Sequence, residues 1–270
     1  MSATSASSRG AKRKPKFEIK LESPSIGQSL STTFKDRRLR VTEDKLSVVS
    51  AGSLGYSSIC ASHSASCGKW YFEATVEELG EDSFFRLGFS TRRTRFDAPI
   101  GSDCFSFAVR SKDGKRVTQG RCFEYGTSQP MGVGDVIGCE LELPSNSPLS
   151  PTMRSGLLAC DPNLLCDPEN VNREIELCGE PSSIRFFRNG SSLGTAFVNL
   201  VAGEYHPAVS LMGKVRIRFN FGSSEEFLSQ KKIDPQTKPA SEMYVAPELK
   251  RPRRRPANFI PRGLTSLVRN

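Results

Sequence analysis

The stretch that decides the fold is Trp70-Tyr71-Phe72-Glu73-Ala74-Thr75-Val76, in which apolar residues alternate with a second, mostly polar set. The same period of two recurs in residues 86–90, 105–110 and 215–221. Such a period places successive side chains on opposite faces of a strand. It predicts an antiparallel sheet with one packed face and one face in water. Three of these runs carry arginine on the expected wet face, which favours a binding surface over a catalytic site.

Turn signals separate the strand-like runs and support an all-β fold. Asp113-Gly114 and Asn189-Gly190 each stand between two such runs, as expected for β-hairpins. Residues 145–182 are rich in Pro, Ser and Asn and lack periodicity, so we expect an insertion between two neighbouring strands. We find no helix of convincing length. The pattern predicts an antiparallel β-sandwich.

The net charge of +9 is unevenly distributed along the chain. Residues 1–20 carry six basic residues and one acidic residue, a net charge of +5, and residues 229–270 carry ten basic and three acidic residues, a net charge of +7. The total of +9 therefore leaves a net charge of −3 for residues 21–228. We expect residues 1–16 to be a disordered basic tail and residues 229–270 to be a basic Pro/Arg-rich tail. Such tails are typical of nuclear import or nucleic-acid contact, and the alternative is a solvated flank without a specific partner. The import candidates are Lys250, Arg251, Arg253, Arg254 and Arg255.

Several functional classes find no support in the residues. No apolar run approaches the ~20 residues of a membrane helix, and the N-terminus lacks an apolar signal region, which indicates an intracellular protein without a membrane partner. None of the eight cysteines forms a CxxC pair, so we expect neither a zinc site nor disulfides. The two histidines, His63 and His206, lie beside apolar strand residues. Without a Ser-His-Asp order, a phosphate loop or an HExxH motif, the sequence predicts no enzyme and no cofactor.

Five motifs in one order resemble the SPRY domain family. They are Gly68-Lys69-Trp70-Tyr71-Phe72-Glu73, Arg86-Leu87-Gly88-Phe89-Ser90, Gly134-Asp135-Val136-Ile137-Gly138, Phe187-Arg188-Asn189-Gly190 and Tyr205-His206-Pro207-Ala208-Val209-Ser210-Leu211. Each motif alone is weak, but the ordered set is specific. The resemblance implies a SPRY-type β-sandwich over residues 17–228, including the segment that leads into it, with residues 145–182 as an insertion.

The resemblance is nearer to one branch, the Ash2 proteins. The segments that carry it are 43–49, Gly55-Tyr56-Ser57, Ala61-Ser62-His63, Ala98-Pro99-Ile100-Gly101-Ser102-Asp103 and Arg110-Ser111-Lys112. Ash2 proteins are non-catalytic subunits of Set1/MLL (COMPASS) histone-3 lysine-4 methyltransferase complexes. The resemblance therefore implies a nuclear protein that binds an acidic segment of the Rb-binding-protein-5-like subunit and stimulates the SET-domain methyltransferase.

The residues that match the partner pocket of the family are Tyr56, Arg86, Pro99 and Arg110. An arginine fork suits a carboxylate or phosphate. The alternatives are an arginine that bonds a loop carbonyl or lies in water, and ordinary loop packing for Tyr56 and Pro99. Ser102 stands where the family has a second pocket tyrosine.

The resemblance does not extend to the helix by which the family docks Dpy-30. In its place stands Ser241-Glu242-Met243-Tyr244 and then a Pro/Arg run. Two other functions compete with the Ash2-like one: a general SPRY adaptor that binds another peptide, for example in ubiquitin ligation, and a nucleic-acid-binding protein whose basic tails contact nucleosomal DNA.

Overall fold

The computed structural model of the chain describes residues 28–96, 98–145, 177–223, 226–228 and 233–245. The strands are β1 (Leu30–Lys35), β2 (Leu39–Val41), β3 (Ser47–Ala61), β4 (His63–Ser64), β5 (Gly68–Leu79), β6 (Phe84–Thr91), β7 (Ser106–Arg110), β8 (Arg116–Thr118), β9 (Arg121–Phe123), β10 (Val136–Leu143), β11 (Ser183–Arg188), β12 (Ser191–Val198), β13 (Tyr205–Asn220), β14 (Lys238–Pro239) and β15 (Tyr244–Val245). Within these residues a 3₁₀ helix, Ala240–Glu242, is the only helical element. The prediction of an all-β fold is confirmed.

The long strand β13 joins the two halves of the sheet. The strand order is β12-β11-β10-β5-β13-β6-β7-β8-β9, and β3 runs along the other edge of β13. The first part of β13 pairs with β6 and its last part with β5. Between them lies Gly213, where φ is +78° and a Cβ would lie 2.3 Å from Ser83 Oγ. Only glycine fits this bend, at which β13 passes from one half of the sandwich to the other.

The apolar residues of the alternating runs form one core between the two halves. Phe72 of β5 meets Phe89 of β6 with ring centroids 5.2 Å apart, and Phe107 of β7 meets Phe197 of β12 at 5.1 Å. All four side chains are buried. Because period two places these aromatic residues on one face of each strand, the alternation read from the sequence selects the core residues correctly.

The expectation that the opposite face of each strand lies in water is wrong for β5, and also for most of β6 and β7, where Ser90 and Ala108 are buried on that face. Tyr71 and Glu73 are buried, with relative exposures of 1% and 3%. Phe227 packs edge-on against Tyr71 at 4.9 Å. The Glu73 carboxylate accepts hydrogen bonds from the Tyr71 hydroxyl at 2.9 Å and from the Leu228 N–H at 2.8 Å. A later segment of chain therefore covers this face and satisfies its polar groups.

Residues 233–245, predicted from composition to belong to the basic tail, pack against the sandwich. Strand β14 pairs in parallel with β5, and β15 pairs with β4. Asp234 accepts a hydrogen bond from Lys69 at 2.9 Å. Ala240 and Met243 are buried in the main core. We call residues 233–245 the C-terminal strap, and its contacts extend the domain beyond residue 228.

We expect a chain that ends at residue 228 to unfold more easily than one that ends at residue 245. Removing the C-terminal strap uncovers the site of Met243, and burial of a methionine side chain contributes about 1.5–3 kcal/mol. Urea unfolding should therefore show a free energy of unfolding lower by about 2 kcal/mol or more in the shorter chain. Equal unfolding midpoints would contradict a structural role for the strap.

The Asn189-Gly190 hairpin lies where the sequence placed it. Asn189 and Gly190, with φ of 50° and 75°, form a two-residue turn between Arg188 and Ser191, which are paired. Strands β10 and β11 are antiparallel neighbours, so the segment between them joins adjacent strands. Its last residues already belong to the domain, since the Cys178 N–H donates to Leu200 O at 2.7 Å. Residues 146–176 lie outside the described part of the chain.

Candidate functional site

Two arginines stand side by side on the sheet. Arg86 of β6 and Arg110 of β7 are directly opposite each other in the antiparallel register, and therefore lie on the same face. Like charges in this position repel one another. Each guanidinium consequently needs its own compensation, and the two arginines obtain it in different ways.

Arg86 is held by an aromatic ring and a carbonyl. Its guanidinium carbon lies 5.1 Å from the centroid of the Tyr56 ring, a cation–π contact, and Nη1 donates to Ile100 O at 3.1 Å. No described residue accepts a hydrogen bond from its buried Nε. Among the described residues, no carboxylate forms an ion pair with Arg86. The guanidinium is thus fixed in place, and no carboxylate of the described residues neutralises its positive charge.

Arg110 has a carboxylate partner within its own hairpin. Its Nε donates to Asp113 Oδ1 at 2.6 Å, and its Nη2 donates to Asp113 Oδ2. Partial burial by itself would raise the pKa of Asp113. The Arg110 hydrogen bonds and the Lys115 N–H outweigh it and hold the pKa below the usual value of an aspartate. Asp113 is therefore ionised at neutral pH, and Arg110 is neutralised by it.

Pro99 lies in a loop that two serines hold through hydrogen bonds to the residues on either side of it. The Ser58 hydroxyl donates to Ala98 O at 2.7 Å, and the Ser210 hydroxyl accepts from the Ile100 N–H at 2.8 Å. These two hydroxyls also contact each other at 2.7 Å. Because the residues on both sides of Pro99 are anchored, the loop presents Pro99 and the Ile100 carbonyl at a set position beside Arg86.

The next residue of this loop must be glycine. Gly101 has φ of +83°, and a Cβ there would lie 2.8 Å from Val117 O. Its N–H donates to the Ser106 hydroxyl at 2.7 Å. The tight approach to β8 leaves the following Ser102 exposed at the rim of the site. The structure thus brings Tyr56, Arg86 and the Pro99 loop together, with Arg110 adjacent.

Comparison with known proteins identifies the domain that contains Arg86, Pro99 and Arg110. Residues 69–147 match the family model of the SPRY domain. The chain carries an SPRY domain. The match begins in β5 and extends past β10, and it includes Arg86, Pro99 and Arg110, whereas Tyr56 precedes it.

The relatives of this SPRY domain include Ash2 proteins. The chain is 32% identical over 211 residues to the Set1/Ash2 histone methyltransferase complex subunit ASH2 of Drosophila melanogaster, which covers 75% of this chain and 37% of that protein. It is 30% identical over 215 residues to the Set1/Ash2 histone methyltransferase complex subunit ash-2 of Caenorhabditis elegans, covering 73% and 37%. The chain thus spans little more than a third of the length of these relatives. The predicted resemblance to the SPRY domain of Ash2 proteins is confirmed.

A solved structure supports the fold. The SPRY domain of human HERC1 superposes with a TM-score of 0.51 at 14% identity, and the match covers 73% of this chain and all of that one. The similarity confirms the SPRY type of β-sandwich.

Other arginines of the SPRY domain have structural partners. Arg92 lies 4.9 Å from the Phe34 ring centroid, and Arg93 lies 4.7 Å from that of Phe105. Arg216 pairs with Glu77 at 2.8 Å. These contacts hold loops and neighbouring strands.

His206 is buried in the interior of the SPRY domain. Arg92 Nε donates to its Nε2 at 3.4 Å, so Nδ1 carries the proton and donates to Ala61 O at 3.1 Å. Burial and the nearby Arg92 charge lower the pKa of His206 to about 3. Both ring nitrogens are therefore engaged, and the ring is neutral at physiological pH.

Neither a metal cluster nor a membrane helix is found in the described residues. Within them, no group of three or more His, Cys, Asp or Glu side chains is arranged to hold a metal ion. No helix of that part of the chain is long and apolar enough to cross a membrane. The import candidates Lys250, Arg251, Arg253, Arg254 and Arg255 lie outside the described residues.

Sequence reasoning missed the partner of Arg110. The sequence by itself indicates only a turn at Asp113, as the first residue of an Asp-Gly pair. Its position three residues after Arg110 was a usable signal, because a hairpin loop can fold an i+3 carboxylate back onto the strand end. The two anchoring serines, Ser58 and Ser210, are 152 positions apart and gave no such signal.

Proposed function

We propose that this chain is a non-catalytic, Ash2-like subunit of a nuclear Set1/MLL (COMPASS) histone-3 lysine-4 methyltransferase complex. In this role its SPRY domain binds an acidic segment of the Rb-binding-protein-5-like subunit through Tyr56, Arg86, Pro99 and Arg110. The relation to the Ash2 subunits of fly and worm supports membership in such a complex. The observation that carries the binding role is the fixed guanidinium of Arg86, which forms no ion pair with a carboxylate of the described residues.

The geometry around Arg86 suits recognition of a carboxylate. A planar guanidinium can donate two parallel hydrogen bonds to one carboxylate, and charge-assisted bonds of this kind are stronger than neutral ones. The Tyr56 ring and the Ile100 carbonyl already hold the fork, so little side-chain entropy is lost when a ligand binds. Pro99, half-buried in the anchored loop, offers an apolar contact beside the charge.

The contribution to methylation is allosteric. A subunit that binds both the acidic segment and the SET-domain enzyme stabilises the enzyme conformation in which both contacts are made. No residue of this chain then takes part in the chemistry, and its effect is a change in the population of productive enzyme.

Calorimetric titration of the whole chain with the acidic segment of the organism's own Rb-binding-protein-5-like subunit tests this function. We expect saturable binding that survives physiological salt, because the pocket combines charge with packing. Absence of binding would overturn the proposed partner and favour a general SPRY adaptor for another peptide. Binding to DNA instead, with affinity falling steeply as salt rises, would favour the nucleic-acid function of the basic tails.

We also expect the basic cluster near the C-terminus to direct nuclear import. Replacing Arg253, Arg254 and Arg255 with alanine removes half or more of its charge, so a fluorescent fusion should shift towards the cytoplasm. The matched control replaces Lys232, Arg262 and Arg269 with alanine, which removes the same charge from the same tail outside the cluster. A fusion that stays nuclear after the triple change would assign the cluster another role.

A further inference from the structure

The two arginines of the site differ in a way that bears on its regulation. Arg86 has no described carboxylate partner, whereas Arg110 donates two hydrogen bonds to one carboxylate, Asp113. This is the bidentate arrangement that an acidic ligand would adopt. Asp113 therefore occupies, within the chain, the edge of Arg110 formed by Nε and Nη2, at which a ligand carboxylate would bind in the same way.

The hairpin holds Asp113 in this position. The Gly114 N–H donates to Arg110 O at 3.0 Å, and the Lys115 N–H donates to Asp113 Oδ1 at 3.3 Å. Gly114 has φ of +68°, and a Cβ there would lie 2.7 Å from Gln129 O. The turn is thus packed against a neighbouring loop, which fixes the backbone that carries the carboxylate.

The ion pair is nevertheless within reach of solvent. The side chains of Arg110 and Asp113 retain 25% and 24% of their exposure. Partly exposed pairs contribute little net stability, since water competes for both groups. A ligand with several negative charges can therefore compete for Arg110, but it meets the repulsion of Asp113 as it approaches.

We propose that Asp113 is a built-in competitor that sets the affinity of the anion site. In the empty domain its carboxylate neutralises Arg110, and an acidic ligand reaches full affinity only by replacing it there. The inference rests on the proposed function of the site. It assigns Arg86 as the arginine that is ready for a ligand and Arg110 as the one that becomes available on displacement of Asp113.

Asp113→Asn separates this role from a purely structural one. Asparagine keeps the size of the side chain, and its carbonyl oxygen can still accept the Lys115 N–H, so the turn is retained. If Asp113 competes with the ligand, the acidic segment should bind roughly three- to tenfold more tightly to the variant, because one carboxylate competitor is removed. If Asp113 only relieves repulsion between the arginines, the variant melts lower and gains no affinity.

The matched control is Glu124→Gln. Glu124 pairs with Lys115 on the neighbouring strand end and is well exposed, so this change removes the same charge without touching either arginine. We expect its affinity for the acidic segment to equal that of the unmodified chain in calorimetric titration. A gain as large as that of Asp113→Asn would overturn the inference, since a general charge effect would then explain both.

The outcomes distinguish the inference from the function on which it rests. Binding by the unmodified chain together with unchanged or weaker binding by Asp113→Asn overturns the competitor role and leaves the acidic partner in place. Failure of both proteins to bind the segment, with both folded, overturns the proposed function and the competitor role together.

Discussion

Arg86→Ala should weaken binding of the acidic segment about ten- to a hundredfold. A charge-assisted contact to a partly desolvated arginine contributes roughly 1.5–3 kcal/mol, and each 1.4 kcal/mol is a factor of ten in affinity. Arg86 should have the largest effect in the site because it is fixed by Tyr56 and Ile100 and has no carboxylate partner among the described residues. Calorimetric titration against the unmodified chain measures the loss.

Two further variants make this result interpretable. Arg121→Ala removes the same charge from an exposed position on β9 and should change the affinity little. Arg86→Lys keeps the charge but loses the planar fork, so its affinity should fall between those of the unmodified chain and the alanine variant. Equal affinities of the unmodified chain and folded Arg86→Ala would show that the acidic segment does not bind at this site.

The alanine variant should also lose some stability. A strand arginine on a wet face would bury little, but the structure gives Arg86 a ring contact and a hydrogen bond to Ile100 O. Loss of one hydrogen bond of this kind costs about 1 kcal/mol. Thermal melting of each variant is therefore measured alongside binding, so that unfolding is not mistaken for lost affinity.

Phe72→Ala should lower the free energy of unfolding by about 3–5 kcal/mol, as removal of a buried phenylalanine does in other proteins. Phe72 is fully buried. Its ring lies 5.2 Å from that of Phe89 and 5.8 Å from that of Phe219, so it joins strands β5, β6 and β13. The loss is a large share of the 5–15 kcal/mol by which a typical domain is stable.

Phe123→Ala is the matched control for the core variant. It makes the same substitution at a phenylalanine that is 41% exposed on the edge strand β9. Urea unfolding should show a much smaller change, because less apolar surface returns to water. Similar losses in both variants would contradict the position of Phe72 at the centre of the core.

The sequence predicts the parts of this protein that depend on neighbours in the chain. Alternation along a strand decides which side chains share a face, and this is why the run from Trp70 to Val76 identified core residues correctly. A two-residue turn with positive φ needs residues such as Asn and Gly, so Asn189-Gly190 marked its hairpin. The order of the five SPRY-like motifs predicted the fold family that the comparison confirms.

Contacts between distant residues could not be read in this way. Burial of Tyr71 and Glu73 depends on residues 227 and 228, and Lys69 meets Asp234 across 165 positions. The C-terminal strap has no periodic pattern, because its short strands add to sheets that other residues have already formed. Composition therefore assigned it to the tail, whereas packing includes it in the domain.

The candidate site likewise has features that follow from neighbours in the chain and features that follow from distant contacts. The sequence by itself determined that Arg86 and Arg110 lie on the polar face of their strands. In each strand the apolar residues alternate with the arginine and therefore occupy the opposite face. Only the tertiary structure decided that Arg86 stacks on Tyr56, thirty positions earlier, while Arg110 is neutralised by Asp113. An ion pair depends on the position of a carboxylate within a few ångströms, and that position is set by strand register and turn packing.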